Sequence, residues 1–457
     1  MVKLNAVIIR GTDNINTSKR HLLMQGLFIL VYLVVYQPAA FAKPPVNVKM
    51  SIERTESPAS KEVLWLPYAF STADMGLTWG LGASVSGIYQ EQLTIGTTVF
   101  SGEDSKGIGL GVWDYRLNFS DRLFISVIGM VGDYPLMRAY APPNRDFIDK
   151  NTVIPGSNNS DFDDFIEAKG SSNWWDLQLD YVLPIGKAKN KPITDYQLTR
   201  GLPVNTNKKA DSWNPLENGT TILSLRQFNR YQFYETGPDS IEGTIHAIEL
   251  GLLHDNTDFP INPTVGNSQY FAFSHDAAWL DSKDQWDFVE FEASQYFSFG
   301  ATKQARQRIL ALNFWTAYAT SWKVNTNDNN ELQVANNPPF LEGSTLGGFY
   351  RMRGFRQNRF HDKAAIYASA EYRYTLDYNP VENVDWLRFL KLDWIQAVLF
   401  VEGGRVAPTY NRHVIFDDWK TDFGVSLRAL TAGMVIRLDV AKSNEGTNMW
   451  AMVSHPF

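Results

Sequence analysis

Residues 363–375 read KAAIYASAEYRYT, and this stretch decides the fold. Ala364, Ile366, Ala368, Ala370, Tyr372 and Tyr374 fall on one face of an extended chain. Tyr367, Ser369, Glu371, Arg373 and Thr375 fall on the other, because successive side chains of a strand point to opposite sides. The same two-residue period recurs through residues 77–86, 175–183 and 434–440. A soluble β-sandwich also alternates, but two features point elsewhere. The alternating segments run about 10–13 residues, the length a tilted strand needs to cross a bilayer. The polar faces carry charges of both signs, among them Asp176, Asp180, Arg226, Arg230, Glu290, Glu292, Arg428, Arg437 and Asp439. Such a face suits a wet lumen, with the apolar face turned to lipid.

Working outward from this stretch, the alternation predicts an all-β fold: a 16-stranded antiparallel transmembrane β-barrel over residues 62–457. Its fifth and sixth strands are expected at 122–132 and 172–183, and its last at 448–457, alternating through Met449, Ala451, Val453 and His455 to Phe457. With both termini on the periplasmic side, the long segments 133–171 and 321–362 fall outside the cell. The long, polar and lysine-bearing segment 184–218 falls on the periplasmic side; a plug or a docking loop would fit, and disorder is the expectation.

The N-terminus predicts export. Lys3, Arg10, Lys19 and Arg20 precede an apolar run from Leu22 to Val35, and Ala40-Phe41-Ala42 supplies a small-x-small cleavage pattern. Residues 1–42 therefore read as a signal peptide, and 43–61 as a short periplasmic segment before the first strand. The chain has no cysteine and a formal net charge of −7, which excludes disulfides, thiolate metal sites and a basic nucleic-acid surface. No HExxH, GxSxG, P-loop or GxGxxG pattern occurs. The pairs His254-Asp255, His275-Asp276 and His361-Asp362 read as rim residues near the ends of different strands. The acidic cluster Asp161, Asp163, Asp164 and Glu167 fits no EF-hand spacing and reads as a solvated loop. No cofactor, metal or catalytic residue is expected.

Residues 346–373, LGGFYRMRGFRQNRFHDKAAIYASAEYR, resemble the sixth extracellular loop and following strand of the BamA/TamA/FhaC outer-membrane barrel superfamily, also called the bacterial surface antigen domain. The tripeptide Arg353-Gly354-Phe355 stands where that family has Arg-Gly-Phe/Tyr at the tip of a loop folded into the lumen. Phe400, Glu402 and Gly404 match its Phe-x-Asp/Glu-x-Gly strand. Residues 250–265 resemble its Asp…Asn-Pro-Thr-x-Gly strand and periplasmic turn and residues 65–81 its first hairpin, while the strand ending at Phe457 resembles the terminal signal that outer-membrane proteins present to the barrel-assembly machinery. The resemblance implies a transport channel or membrane-insertion barrel of the bacterial outer membrane, among lipid and lipopolysaccharide, with an unknown client. Alternatives are a passive structural or receptor barrel and, further off, a lipid enzyme on the barrel wall. Residues 43–61 are too few for one of the family's periplasmic POTRA domains. A lumenal guanidinium needs a carboxylate, so Arg353 is expected to pair with Glu402, with Asp417, Asp418 or Asp422 as second partners. Gly354 is expected to supply a positive φ at the tip.

Overall fold

The computed structural model describes residues 46–457 apart from 56–61, 73–75, 103–104, 141–147, 150–152, 205–213, 236–240, 283, 327, 329–330, 340–341, 382–383, 385–389 and 432. The expected signal peptide, 1–42, lies outside the described residues. One sheet contains sixteen strands, each hydrogen-bonded to its neighbours in chain order. They are β1 (Glu62–Thr72), β2 (Gly76–Ser86), β3 (Thr94–Gly102), β4 (Lys106–Arg116), β5 (Leu123–Ala139), β6 (Ile166–Val182), β7 (Thr220–Tyr234), β8 (Ile241–Asp255), β9 (Gly266–Ala277), β10 (Gln285–Ser298), β11 (Ala305–Ala319), β12 (Ala364–Leu376), β13 (Leu392–Ala407), β14 (Lys420–Thr431), β15 (Met434–Ser443) and β16 (Gly446–Val453). Every pairing is antiparallel.

The sheet curls until its two ends meet. Glu62 of β1 lies beside Gly433, in the turn before β15, and residues of β1–β4 share a cavity wall with Met434, Val435 and Val453. No ladder joins β1 to β16 among the described residues. An even strand number puts both termini at one mouth of the barrel, the terminal mouth. The opposite one is the loop mouth.

Polarity is inverted relative to a water-soluble protein. Arg353, Arg373, Arg428, Glu371 and Asp439 are at most 0% exposed, whereas Leu110, Leu399 and Phe423 are each 62% exposed. Outward Trp65, Trp79, Leu250 and Phe271 complete an apolar belt. Leaving such side chains in water would forgo about 1.5–3 kcal/mol each, so the outer face requires lipid.

Three differences from the expected strands have local causes. β5 and β6 extend beyond their expected ends, still paired from Met137↔Ala168 to Ala139↔Ile166 after a register break between Tyr134 and Met137 around Pro135, and Met137, Ala139 and Ala168 there are buried in the core cluster that holds Met352 and Phe355. The final strand ends at Val453 rather than 457. Ser454 adopts a φ of 78°, Pro456 offers no N–H to a ladder, and His455 to Phe457 turn inward and become buried. Phe457 then packs on Tyr296, Ile309 and Ala311, across the lumen. Within 184–218, expected to be disordered, residues 184–204 are instead an ordered cap at the terminal mouth. Thr194–Thr199 forms a strand flanked by Met50–Arg54 and Leu202–Pro203.

The inverted polarity yields a direct expectation. Leu399→Arg, at mid-height on the outer face of β13, should lower stability by about 2–4 kcal/mol in lipid vesicles, read from urea-dependent tryptophan fluorescence. Leu399→Val should leave the midpoint nearly unchanged.

Candidate functional site: an inward finger and its charge cluster

Residues 346–360 form a finger that enters the barrel from the loop mouth. Its neck is a two-residue ladder, Thr345↔His361 and Leu346↔Phe360. Within it Asn358 N donates to Gly347 O, and Phe355 N to Met352 O. Gly347 and Gly348 have φ of 105° and 112°, values that a side chain would strain. Phe349, Met352, Phe355 and Phe360 are buried, the last two edge to face at 5.2 Å.

Arg353, at the tip, is surrounded by the wall. Its backbone N–H donates to Glu402 Oε2 at 2.6 Å and its Nε to Glu402 Oε1 at 3.1 Å. Nη2 donates to Glu371 Oε1 at 2.9 Å, and Nη1 lies 3.5 Å from Asp439 Oδ2. The guanidinium stacks on Phe400, 3.5 Å from the ring centroid, and the Arg353 carbonyl accepts from Trp450 Nε1 at 2.7 Å. One residue thus ties β12, β13, β15 and β16 together.

The expected pair, Arg353 with Glu402, is brought together. Glu371 and Asp439 are further partners that the sequence reading did not assign to Arg353, although it had placed both on the polar faces. Glu371 lies opposite Phe400 and Ser369 opposite Glu402 in the β12–β13 register, so knowing that register would have found Glu371. Of the proposed second partners, Asp417 engages His413 and Asp418 lies near Arg405. Asp422 packs against Gly354 of the finger and lies within the electrostatic reach of Glu402 and Arg353.

Gly354 does not carry the expected positive φ. That conformation falls on Met352, at 59°. Gly354 is required for approach: a Cβ there would stand 2.4 Å from the Asp422 Cβ. Its carbonyl accepts from Ser443 Oγ at 2.7 Å. Gly404 plays the matching part on the wall, since a Cβ there would meet Leu346 Cδ1 at 2.9 Å.

The cluster extends beyond the finger. Glu371 also accepts from Arg428 Nη2 at 2.7 Å and Arg373 Nε at 2.8 Å. Tyr367 donates to Glu402 at 2.5 Å. Arg437 bonds Asp439 and the Phe349 carbonyl. Arg428 Nη1 meets His455 Nδ1 at 2.7 Å, and Arg373 lies 5.1 Å from the Phe457 ring centroid. The inward-turned C-terminus therefore lies against the arginines.

A lid covers the finger at the loop mouth. Asn158 fastens it to the wall, its Oδ1 accepting from Val406 N and its Nδ2 donating to Asp418 O, and Arg359 of the finger donates to Ser160 Oγ at 2.8 Å and pairs with Glu445 at 2.9 Å. At the terminal mouth, Lys49 bonds Asp114 at 2.5 Å and Asp180 at 2.7 Å. Burial opposes its charge, but the pull of the two carboxylates prevails and raises the Lys49 pKa above its usual range. The lumen is filled from both ends. His254 and His275 stay apart, bonded to Thr221 and Asp287, and no group of metal-ligating side chains occurs among the described residues.

A sixteen-stranded sheet with a charged interior, an apolar belt and an inward finger defines an outer-membrane β-barrel protein. Residues 201–449, more than half of the 457, match the Omp85 superfamily domain. The chain belongs to the Omp85 superfamily, and is a protein of the bacterial outer membrane. Among solved structures it is similar to BamA from Haemophilus ducreyi lacking POTRA domains 1-3, with 13% identity over 86% of this chain and 70% of that one, at a TM-score of 0.44. It is also similar to CdiB from Escherichia coli, with 10% identity over 84% of this chain, at a TM-score of 0.48. CdiB from Acinetobacter baumannii gives 11% over 85% and 0.42. The chain spans 58% of the length of each CdiB chain. No curated protein matches it.

Arg353→Ala should be severely destabilising, because it leaves Glu402 buried without a cation beside Glu371 and Asp439, which keep Arg373, Arg428 and Arg437; loss of one buried partner typically costs about 3–5 kcal/mol. The temperature at which the folded band disappears on a heat-modifiability gel should fall sharply. Arg353→Lys should recover only part, since an ammonium cannot fork to three carboxylates. Exchanging the charges of Arg353 and Glu402 should fail to rescue, because Glu371 and Asp439 would then face a glutamate.

Proposed function

We propose that this chain is a gated barrel that passes or inserts polypeptide at the outer membrane, with finger 346–360 as the gate at the loop mouth. The observation that carries this reading is the attachment of the finger. Arg353 draws its contacts from β12, β13, β15 and β16, while Arg351 pairs with Glu292 of β10 at 2.7 Å and stacks on Trp315 of β11, so withdrawing the finger would unfasten two parts of the wall at once. The network can also exchange partners: Arg373 and Arg428 already share Glu371 with Arg353. A passive barrel has no need of a buried, multiply paired plug, whose desolvation cost exceeds that of an apolar filling. On this reading the terminal mouth is periplasmic, lipid and lipopolysaccharide surround the belt, and the barrel-assembly machinery reads the C-terminal strand during biogenesis.

Reconstitution in planar bilayers tests the proposal. The full chain should be nearly silent, and deletion of residues 346–360 should give conductance steps. A barrel that stays silent after the deletion, yet remains heat-modifiable, overturns the channel role. Acceleration of a second barrel's folding into vesicles by the intact protein would then identify insertion as its activity.

A further inference from the structure

The terminal mouth holds a feature that the gate does not use. Met50–Arg54 lies parallel to Thr194–Thr199, in the register Met50↔Thr194 through Arg54↔Leu198. It is an edge strand of a three-stranded sheet that belongs to no part of the barrel wall. Thr194 N donates to Lys49 O and Thr55 N to Leu198 O, both at 2.9 Å. Upstream, Val46 and Val48 are buried; Val46 packs with Phe124, Val182 and Ile193. Lys49 enters a pocket between Asp114 of β4 and Asp180 of β6, and Arg54 bonds Asp393 at 2.5 Å and Glu62. The wall thus presents, in order, two apolar sockets, a two-carboxylate socket and a strand edge. These are the parts of a strand-addition site, in which main-chain bonds give affinity and side-chain pockets give selectivity.

We propose that residues 46–54 are the built-in occupant of a docking groove for an extended polypeptide, and that a client segment with two alternate apolar residues followed by Lys or Arg takes their place. The inference deepens the proposed function by naming its substrate class, an extended chain, and a regulation, self-occupancy. Two observations favour a removable occupant over a structural strut. The ladder has only five register pairs. The strand's outer edge borders a cavity of about 320 Å³, lined also by Trp113, Met434 and Val453 at the meeting of the first and last strands. The carboxylates that Lys49 vacates, Asp114 and Asp180, then require a cation from the incoming segment. An occupied groove lowers the apparent affinity for a competitor in proportion to the time it stands open.

The absence of cysteine allows an unambiguous test. Ser51 and Asp195 are register partners, at a separation that parallel neighbours share with disulfide-bonded residues. The probe is a fluorescent peptide of residues 46–54, VNVKMSIER, titrated by anisotropy against the full chain in detergent. Lys49→Gln should bind it at least about tenfold more tightly than the unaltered chain, an amount that modest weakening of the occupant supplies. The same peptide with its Lys replaced by Glu should not bind. The Ser51→Cys/Asp195→Cys chain should not bind when oxidised and should bind after reduction. If Lys49→Gln does not fold, this redox pair is the deciding comparison. No binding to either folded variant overturns the proposal, and so does binding that ignores the cross-link. Peptide binding without conductance or insertion would instead overturn the proposed function alone.

Discussion

A guanidinium with no route to water must find its counter-charge in protein, and the rest of this structure depends on how Arg353 does so. Three carboxylates from β12, β13 and β15 converge on it, and Phe400 supplies the face on which it stacks. A single pair would leave donors of the fork unmatched. With three partners, the finger's depth, its rotation and the spacing of four strands are fixed together. Gly354 and Gly404 follow from the same requirement, since each removes a methyl group that would hold the arginine away from its partners.

The architecture was legible because a barrel's two faces meet two different solvents. Alternation at Ala364–Thr375 separates Tyr372 from Glu371 as cleanly in the structure as in the sequence. What was not legible depended on contacts between distant strands. Glu371 and Asp439 stood out as lumenal charges, but their convergence on Arg353 is set by register and curvature, which a single sequence does not encode locally. The end of β16 was misplaced for the opposite reason. Alternation continues through His455 and Phe457, yet a backbone reversal at Ser454 turns those residues inside, where Arg428 and Arg373 receive them. Polarity suggested disorder for 184–204, but its order comes from a partner strand more than a hundred residues away.

The two mouths are closed by different chemistry. At the loop mouth the obstruction is a compact finger held by multivalent ion pairs and roofed by Asn158 and Ser160. At the terminal mouth it is a thin strand held by five register pairs, by Lys49 on two aspartates and by Arg54 on Asp393 and Glu62. The first has the larger network to break, so the lumen is more readily entered from the end that carries the termini.

The placement of the finger's partners also bears on how the chain reaches this state. Arg353 and the residues that hold its side chain and carbonyl, Glu371, Phe400, Glu402, Asp439 and Trp450, belong to the final quarter of the sequence, whereas Arg351 of the same finger reaches back to Glu292 and Trp315. Nucleation from contacts close in sequence costs less loop-closure entropy than pairing the two ends of a long chain. The last five strands and the finger therefore constitute a unit able to consolidate first, with the Arg353 charge already neutralised and Arg351 left to meet Glu292 when β10 is added. In a refolding time course, Trp450 would become protected ahead of Trp79. The finger is then a core on which the wall is laid, and the barrel is built around its own obstruction.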